Sequence, residues 1–203
     1  RLSSSMRPAR SSGRRRKPAT GGLAADVGCG AGLRTLAMAE AYPQSTWTGY
    51  DNSIHALARA ASNLSNSRVA NCSFVNVEKA KLPDDHSLDL VTFCHVVHDM
   101  AFPQDALNAA FKTLKPDGHC LVIDIAQPET ITEKLSHPGA PMMYGFSLGL
   151  CMSSGLSEEG GAGLGPFGLP ASKLEAMAQE AGFTRFRITD VEDPFNAYYE
   201  PRP

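Results

Sequence analysis

The chain has 203 residues, 42% of them hydrophobic and 20% charged, enough to bury a core and too apolar for a disordered chain. Its formal net charge of −2 hides an asymmetry: Arg1, Arg7, Arg10, Arg14, Arg15, Arg16 and Lys17 precede any acid, leaving 12 basic and 21 acidic groups, a net of −9, beyond residue 20. An acidic body makes a poor nucleic-acid partner, because neutralising phosphates takes clustered Lys and Arg, and no run approaches the ~18 apolar residues of a membrane span.

Residues 1–20 are rich in Ser, Arg and Pro, with Leu2 and Met6 as their only large apolar side chains. They cannot bury enough surface to offset the entropy of ordering and are expected to be a disordered basic tail. A solvated tail and an organelle-targeting segment both fit this composition; a secretory signal does not, for want of an apolar stretch. Opening on Arg1, the chain reads as a fragment. Cys29, Cys72, Cys94, Cys120 and Cys151 are odd in number and form no CxxC pair. No disulfide framework or metal site is expected, and a reducing, cytoplasmic location fits best.

From Leu23 onward, short apolar runs alternate with helical patterns, the signature of βαβ units on a parallel sheet. Leu23–Val27 is the first strand, and Leu33, Leu36, Ala37 and Glu40 follow helical spacing up to Pro43. Thr46–Tyr50 is the second strand. Asn52 or Ser53 can cap a helix whose inner face is Ile54, Leu57, Ala58, Ala61 and Leu64. Cys72–Val77 and Leu88–Cys94 are the third and fourth strands, the latter apolar enough to be central. A helix starts at Pro103 and buries Ala106, Leu107, Ala110, Phe111 and Leu114; Lys115–Gly118 is a turn, and Cys120–Ile125 a fifth strand. Gln127–Pro141 reads as a loop, Met142–Met152 as a helix, and Ser153–Pro170 as a mobile Gly- and Ser-rich lid. Ala171–Ala181 is a helix stopped by Gly182. Phe186–Val191 and Ala197–Glu200 form an antiparallel pair at one sheet edge.

Ligands of open α/β sheets bind beyond the carboxyl ends of the strands. There the first strand runs through Asp26-Val27-Gly28-Cys29-Gly30-Ala31-Gly32 into a helix. Alternate glycines permit a tight turn and close backbone approach, and the new helix offers free N–H groups to an anion. The dinucleotide pattern GxGxxG would need glycine where Leu33 stands, which argues against a nicotinamide enzyme. Asp51 ends the second strand 23 residues after Gly28, the place of an acid that holds both hydroxyls of a ribose. The loop and the acid converge on one nucleoside.

The stretches LAADVGCGAG, WTGYD, FVNVEKAKLPDDHSLDLVTFCHVVHDM and LKPDGHCLVIDI resemble the successive motifs of class I S-adenosylmethionine-dependent methyltransferases. The likeness runs from about Leu23 to the C-terminus, so residues 21–203 are expected to be one methyltransferase domain. The C-terminal part resembles a subgroup that carries an N-terminal winged-helix domain, which residues 1–20 cannot form and which often supports dimerisation; a homodimer is compatible with this. The resemblance implies a Rossmann-like α/β three-layer sandwich with a seven-stranded, mostly parallel sheet of order 3-2-1-4-5-7-6. It assigns Gly28, Cys29, Gly30 and Gly32 to the methionine part of the cofactor S-adenosylmethionine, Asp26 to its ammonium, Asp51 to the ribose, Asn52 to the adenine side, and Glu78 with Lys79 to the adenine amino group. It sets the backbone of Cys94 and His95 against the methionine amino end. CHVVHDM resembles the HDW stretch of small-molecule O-methyltransferases, which makes His98 the candidate general base, suited to neutral pH. Tyr144, Ser147 and Cys151 would stand in the substrate wall. A small-molecule methyl acceptor follows; the alternative is a non-catalytic S-adenosylmethionine-binding regulatory module.

Overall fold

A computed structural model describes residues 21–203; the basic tail expected over residues 1–20 lies outside the described residues. Seven strands, β1 (Leu23–Val27), β2 (Thr46–Asp51), β3 (Cys72–Asn76), β4 (Leu88–Cys94), β5 (Leu114–Ile125), β6 (Arg185–Ile188) and β7 (Asn196–Arg202), form one sheet of order β3-β2-β1-β4-β5-β7-β6. The first five are mutually parallel, and β7 pairs antiparallel with β5 and β6. This is the expected order, and the short β6–β7 connection dictates the antiparallel edge.

Helices cover both faces because the central strands bury side chains on both. On one face Ala25, Val91, Phe93 and Val122 pack under α3 (Pro103–Thr113) and α7 (Ala171–Ala181), whose Leu107, Ala110, Leu174 and Ala178 are fully buried. On the other, Ala24 and Trp47 meet Ala39 of α1 (Leu33–Ala41), and α2 (Ile54–Ser65) lies alongside. Gly182 ends α7 at φ 110°, where a Cβ would overlap the Phe111 ring.

Several expectations change. Ser53, not Asn52, caps α2 by accepting from the Ala56 N–H. The inner face of α2 is Leu57, Ala60 and Leu64, while Ile54, Ala58 and Ala61 are exposed. The helix is rotated because Asn63 turns inward to donate to the Ala31 carbonyl at 2.9 Å, a polar contact that apolar spacing does not register. The Lys115–Gly118 turn is a bulge within β5: Leu88 pairs with Leu114 and Leu90 with His119, so these four residues oppose Asp89 alone, and Lys115 Nζ meets Asp89 at 2.7 Å. The Gln127–Pro141 loop contains α4 (Ile131–Ser136), started by a capping box between Thr130 and Glu133. That signal, T-x-x-E, stood in the sequence. Next come α5 (Ala140–Phe146), a wide π turn over Ser147–Cys151, and α6 (Met152–Gly155). The Ser153–Pro170 segment is docked: Ala162 N–H donates to the Ala101 carbonyl, Gly165 N–H to the His98 carbonyl, and buried Lys134 to the Phe167 carbonyl, with Leu169 in the core.

Candidate active site

The turn from β1 into α1 has Gly28, Gly30 and Gly32 all at positive φ, 71°, 55° and 74°. The N–H groups of Gly28 and Cys29 both donate to the Tyr50 carbonyl, pinning the turn to the tip of β2. A Cβ on Gly28 would overlap Val96, and one on Gly32 the Phe74 ring. Gly30 differs: a Cβ there would meet no atom within 4 Å. Its freedom serves the backbone turn and leaves space beside it. Next to the turn, Asp26, Gly28, Cys29, Ala31, Leu33, Arg34, Cys94 and His95 line a cleft of about 320 Å³.

Asp51 ties the two strand tips together. One carboxylate oxygen accepts from the Gly30 N–H and the other from the Ser53 N–H, both at 2.8 Å. Asn52 is exposed beside it, its carbonyl accepting from Asn76 of β3. Glu78 and Lys79 are exposed just past β3, outside the cleft lining. Asp26 borders the cleft from below, 2% exposed, with one oxygen on the Thr35 hydroxyl and the other on the Thr92 hydroxyl. Burial raises its pKa despite those two hydrogen bonds. His95 sits at φ 53°, a left-handed conformation uncommon outside glycine and typical of functional sites. Burial holds its imidazole below the usual range, although Asp124 and a hydrogen bond to Asn196 act the other way.

His98 lies in a short 3₁₀ turn, Val97–Asp99, and is 4% exposed. Its Nδ1 meets Asp124 Oδ1 at 2.5 Å and its Nε2 meets Asp99 Oδ1 at 3.2 Å. Burial opposes the charged ring, but the hydrogen bond to Asp124 and the charges of Asp124 and Asp99 outweigh it and raise the pKa. Both ring nitrogens of His98, the candidate base, face carboxylates, and Asp99, with its side chain 35% exposed, is the outward member. Among the described residues His98, Asp99 and Cys151 also come within 4.8 Å of one another through potential ligand atoms. Burial and Asp99 push the Cys151 thiol up to about 12, so the free site favours a protonated thiol. Tyr144 stands edge-on to Phe167, and Ser147 opens the π turn.

Sequence reasoning passed over Arg34. Its Nη1 donates to the Cys94 carbonyl at 2.8 Å, bridging α1 to the end of β4. The signal was present: a cation in the first turn of a helix opposes the macrodipole, and no acid accompanies it there. Leu33, the first residue of α1, is 67% exposed at the cleft lip.

A sheet of this order, with a left-handed glycine turn after β1 and an acid at the tip of β2, defines a class I nucleoside-binding methyltransferase fold. The model of a family described as "Methyltransferase domain" matches residues 22–149, and the chain belongs to that family. No curated protein matches it by sequence. Among solved structures it is similar to a SAM-dependent methyltransferase from Aquifex aeolicus (16% identity, 90% of this chain and 82% of that one, TM-score 0.64). It is also similar to a putative O-methyltransferase from Nostoc punctiforme (19%, 89% and 51%, TM-score 0.66) and to human N-acetylserotonin methyltransferase in complex with SAM (22%, 89% and 47%, TM-score 0.64). The chain thus spans about half the length of the last two. Residues 22–149 thus carry a methyltransferase domain, for which S-adenosylmethionine is the methyl donor that the family implies. The residues present fit that group: the open side of Gly30 leaves room for an adenosyl ligand, and the carboxylate of Asp51 is tied to the same turn. Among the described residues no helix is long and apolar enough to cross a membrane.

Proposed function

We propose that residues 21–203 form one domain that methylates a small molecule at oxygen or nitrogen. The observation that carries this reading is the Gly30–Asp51 hydrogen bond, which brings the glycine turn and the candidate ribose acid to one edge of the cleft. Gly28, Cys29, Gly30 and Gly32 accommodate the methionyl part of the cofactor, and Asp51 accepts from its ribose hydroxyls. Asn52, Glu78 and Lys79, at the tips of β2 and β3, flank the adenine. Asp26 and the backbone at Cys94 and His95 favour the ammonium. The bound cofactor supplies an electrophilic methyl group for direct displacement, so the main task of the protein is to align donor and acceptor. The acidic body favours a small acceptor over nucleic acid.

For a hydroxyl acceptor the proton must leave. His98 takes it in its neutral form, on Nε2 beside the outermost Asp99, while its Nδ1–H stays on Asp124 from behind and the resulting imidazolium is stabilised by both carboxylates. Tyr144 and Ser147 form the neighbouring wall. Calorimetry with S-adenosylhomocysteine against NAD tests the cofactor reading; NAD binding without S-adenosylhomocysteine binding refutes it. Screening phenols, amines and carboxylic acids with labelled S-adenosylmethionine tests the acceptor class, and methylation of peptide or nucleic acid alone would overturn it.

A further inference from the structure

We propose that Arg34 grips the carboxylate at the amino-acid end of the cofactor and thereby selects adenosyl ligands that carry one. The proposal rests on the cofactor reading of the cleft.

Arg34 is the second residue of α1, where its charge faces the positive end of the helix dipole with no acid in that turn to offset it. Tertiary structure does not relieve the conflict. Among the described residues no carboxylate lies within ion-pair distance of Arg34, unlike Lys112, Lys115 and Arg187. The nearby acid, Asp26, has its two oxygens on the hydroxyls of Thr35 and Thr92. The polar contact of the guanidinium is one N–H on the Cys94 carbonyl, out of the five it can donate. A cation set against its own helix, mostly unpartnered and lining a cleft, is a local conflict of the kind that function explains.

The partner that fits is a carboxylate. A guanidinium presents a planar fork that matches two carboxylate oxygens. The start of α1 adds donors on the same side: Gly32 caps the helix in a left-handed conformation, and no side chain caps the first N–H groups. The same cleft also holds groups suited to a cation, the Cys94 carbonyl and Asp26. Anion-seeking and cation-seeking groups thus line one cleft, as a zwitterionic amino acid requires. Arg34 itself now takes the Cys94 carbonyl, one of the acceptors there for an ammonium. An arriving ammonium therefore displaces the guanidinium from that oxygen and frees its fork for the adjacent carboxylate, so the two charges of the ligand are recognised together.

The test uses the full chain and two ligands that differ only at this group: S-adenosylhomocysteine and its decarboxylated analogue, which keeps the amine and the adenosyl part. The wild type should bind S-adenosylhomocysteine more tightly by about 10-fold or more, the worth of charge-assisted hydrogen bonds. In Arg34→Gln that preference should shrink to what the N–H groups at the start of α1 give alone, with affinity for the decarboxylated ligand unchanged or slightly improved. Arg34→Lys, which keeps the charge and loses the fork, should fall between. Arg34 is exposed, so both variants should melt with the wild type. Equal weakening toward both ligands would make Arg34 a prop for the end of β4, and no weakening toward either would make it irrelevant; each overturns the proposal. A wild type that binds neither ligand would instead remove the cofactor from this cleft, and the proposal with it.

Discussion

Asp51→Ala separates what one carboxylate does for the fold from what it does for the ligand. The substitution deletes two acceptors, leaving the part-buried Gly30 N–H and the exposed Ser53 N–H without their 2.8 Å partners. Water replaces the second readily and the first poorly, so the expected loss is about 2 kcal/mol of stability. For a chain of this length that corresponds to about 4–8 °C in melting temperature. The effect on binding is separate and larger in ratio. Two hydrogen bonds from ribose hydroxyls to a charged acceptor disappear, and the turn that carries Gly30 loses its tether. S-adenosylhomocysteine affinity should fall by at least about 10-fold, read by titration calorimetry well below the melting point of the variant. Asp51→Asn should recover about half the melting loss, because its amide oxygen can still accept from Gly30, yet recover less of the affinity. An Asp51→Ala protein that melts and binds like the wild type would refute both the tether and the ribose assignment.

Gly30→Val should abolish S-adenosylhomocysteine binding while leaving the sheet folded, since its side chain enters ligand space and resists φ 55°, and no protein atom stands in its way; normal calorimetric binding by a folded variant would contradict this. His98 has a raised pKa in the folded state, so its contribution to stability is complete below the unfolded value of about 6.5 and is lost as pH rises through the folded value. Urea unfolding from pH 6 to 9 should therefore show a decline in the wild type that His98→Gln lacks, and parallel profiles would count against the imidazolium between Asp99 and Asp124. With a hydroxyl acceptor, His98→Ala should lower the single-turnover methyl-transfer rate by about 10²–10⁴-fold at nearly constant cofactor affinity; a variant as fast as the wild type would reduce His98 to packing.

Much of the fold was legible from residue patterns. Apolar runs of five to seven residues and the helices between them marked β1 to β5, because buried parallel strands leave few polar residues to interrupt them. The glycine turn and Asp51 were legible for a related reason: backbone at positive φ requires glycine, and an acid at a strand tip has few structural uses. What could not be read was orientation. Whether Leu57 or Ala58 of α2 faces inward depends on Asn63 finding the Ala31 carbonyl, a contact spanning 32 residues. His98 illustrates the same limit: its type and place suggested a base, but the orientation of its ring is decided by Asp124, 26 residues on, and by its neighbour Asp99. Arg34 shows the converse, a local conflict visible along the helix whose meaning appears only when β4 brings the Cys94 carbonyl beside it. Local sequence sets which backbone conformations each segment can adopt and which surfaces it must bury. Which polar groups meet across the cleft is decided by tertiary packing, because those partners lie far apart along the chain and no periodicity encodes their distance.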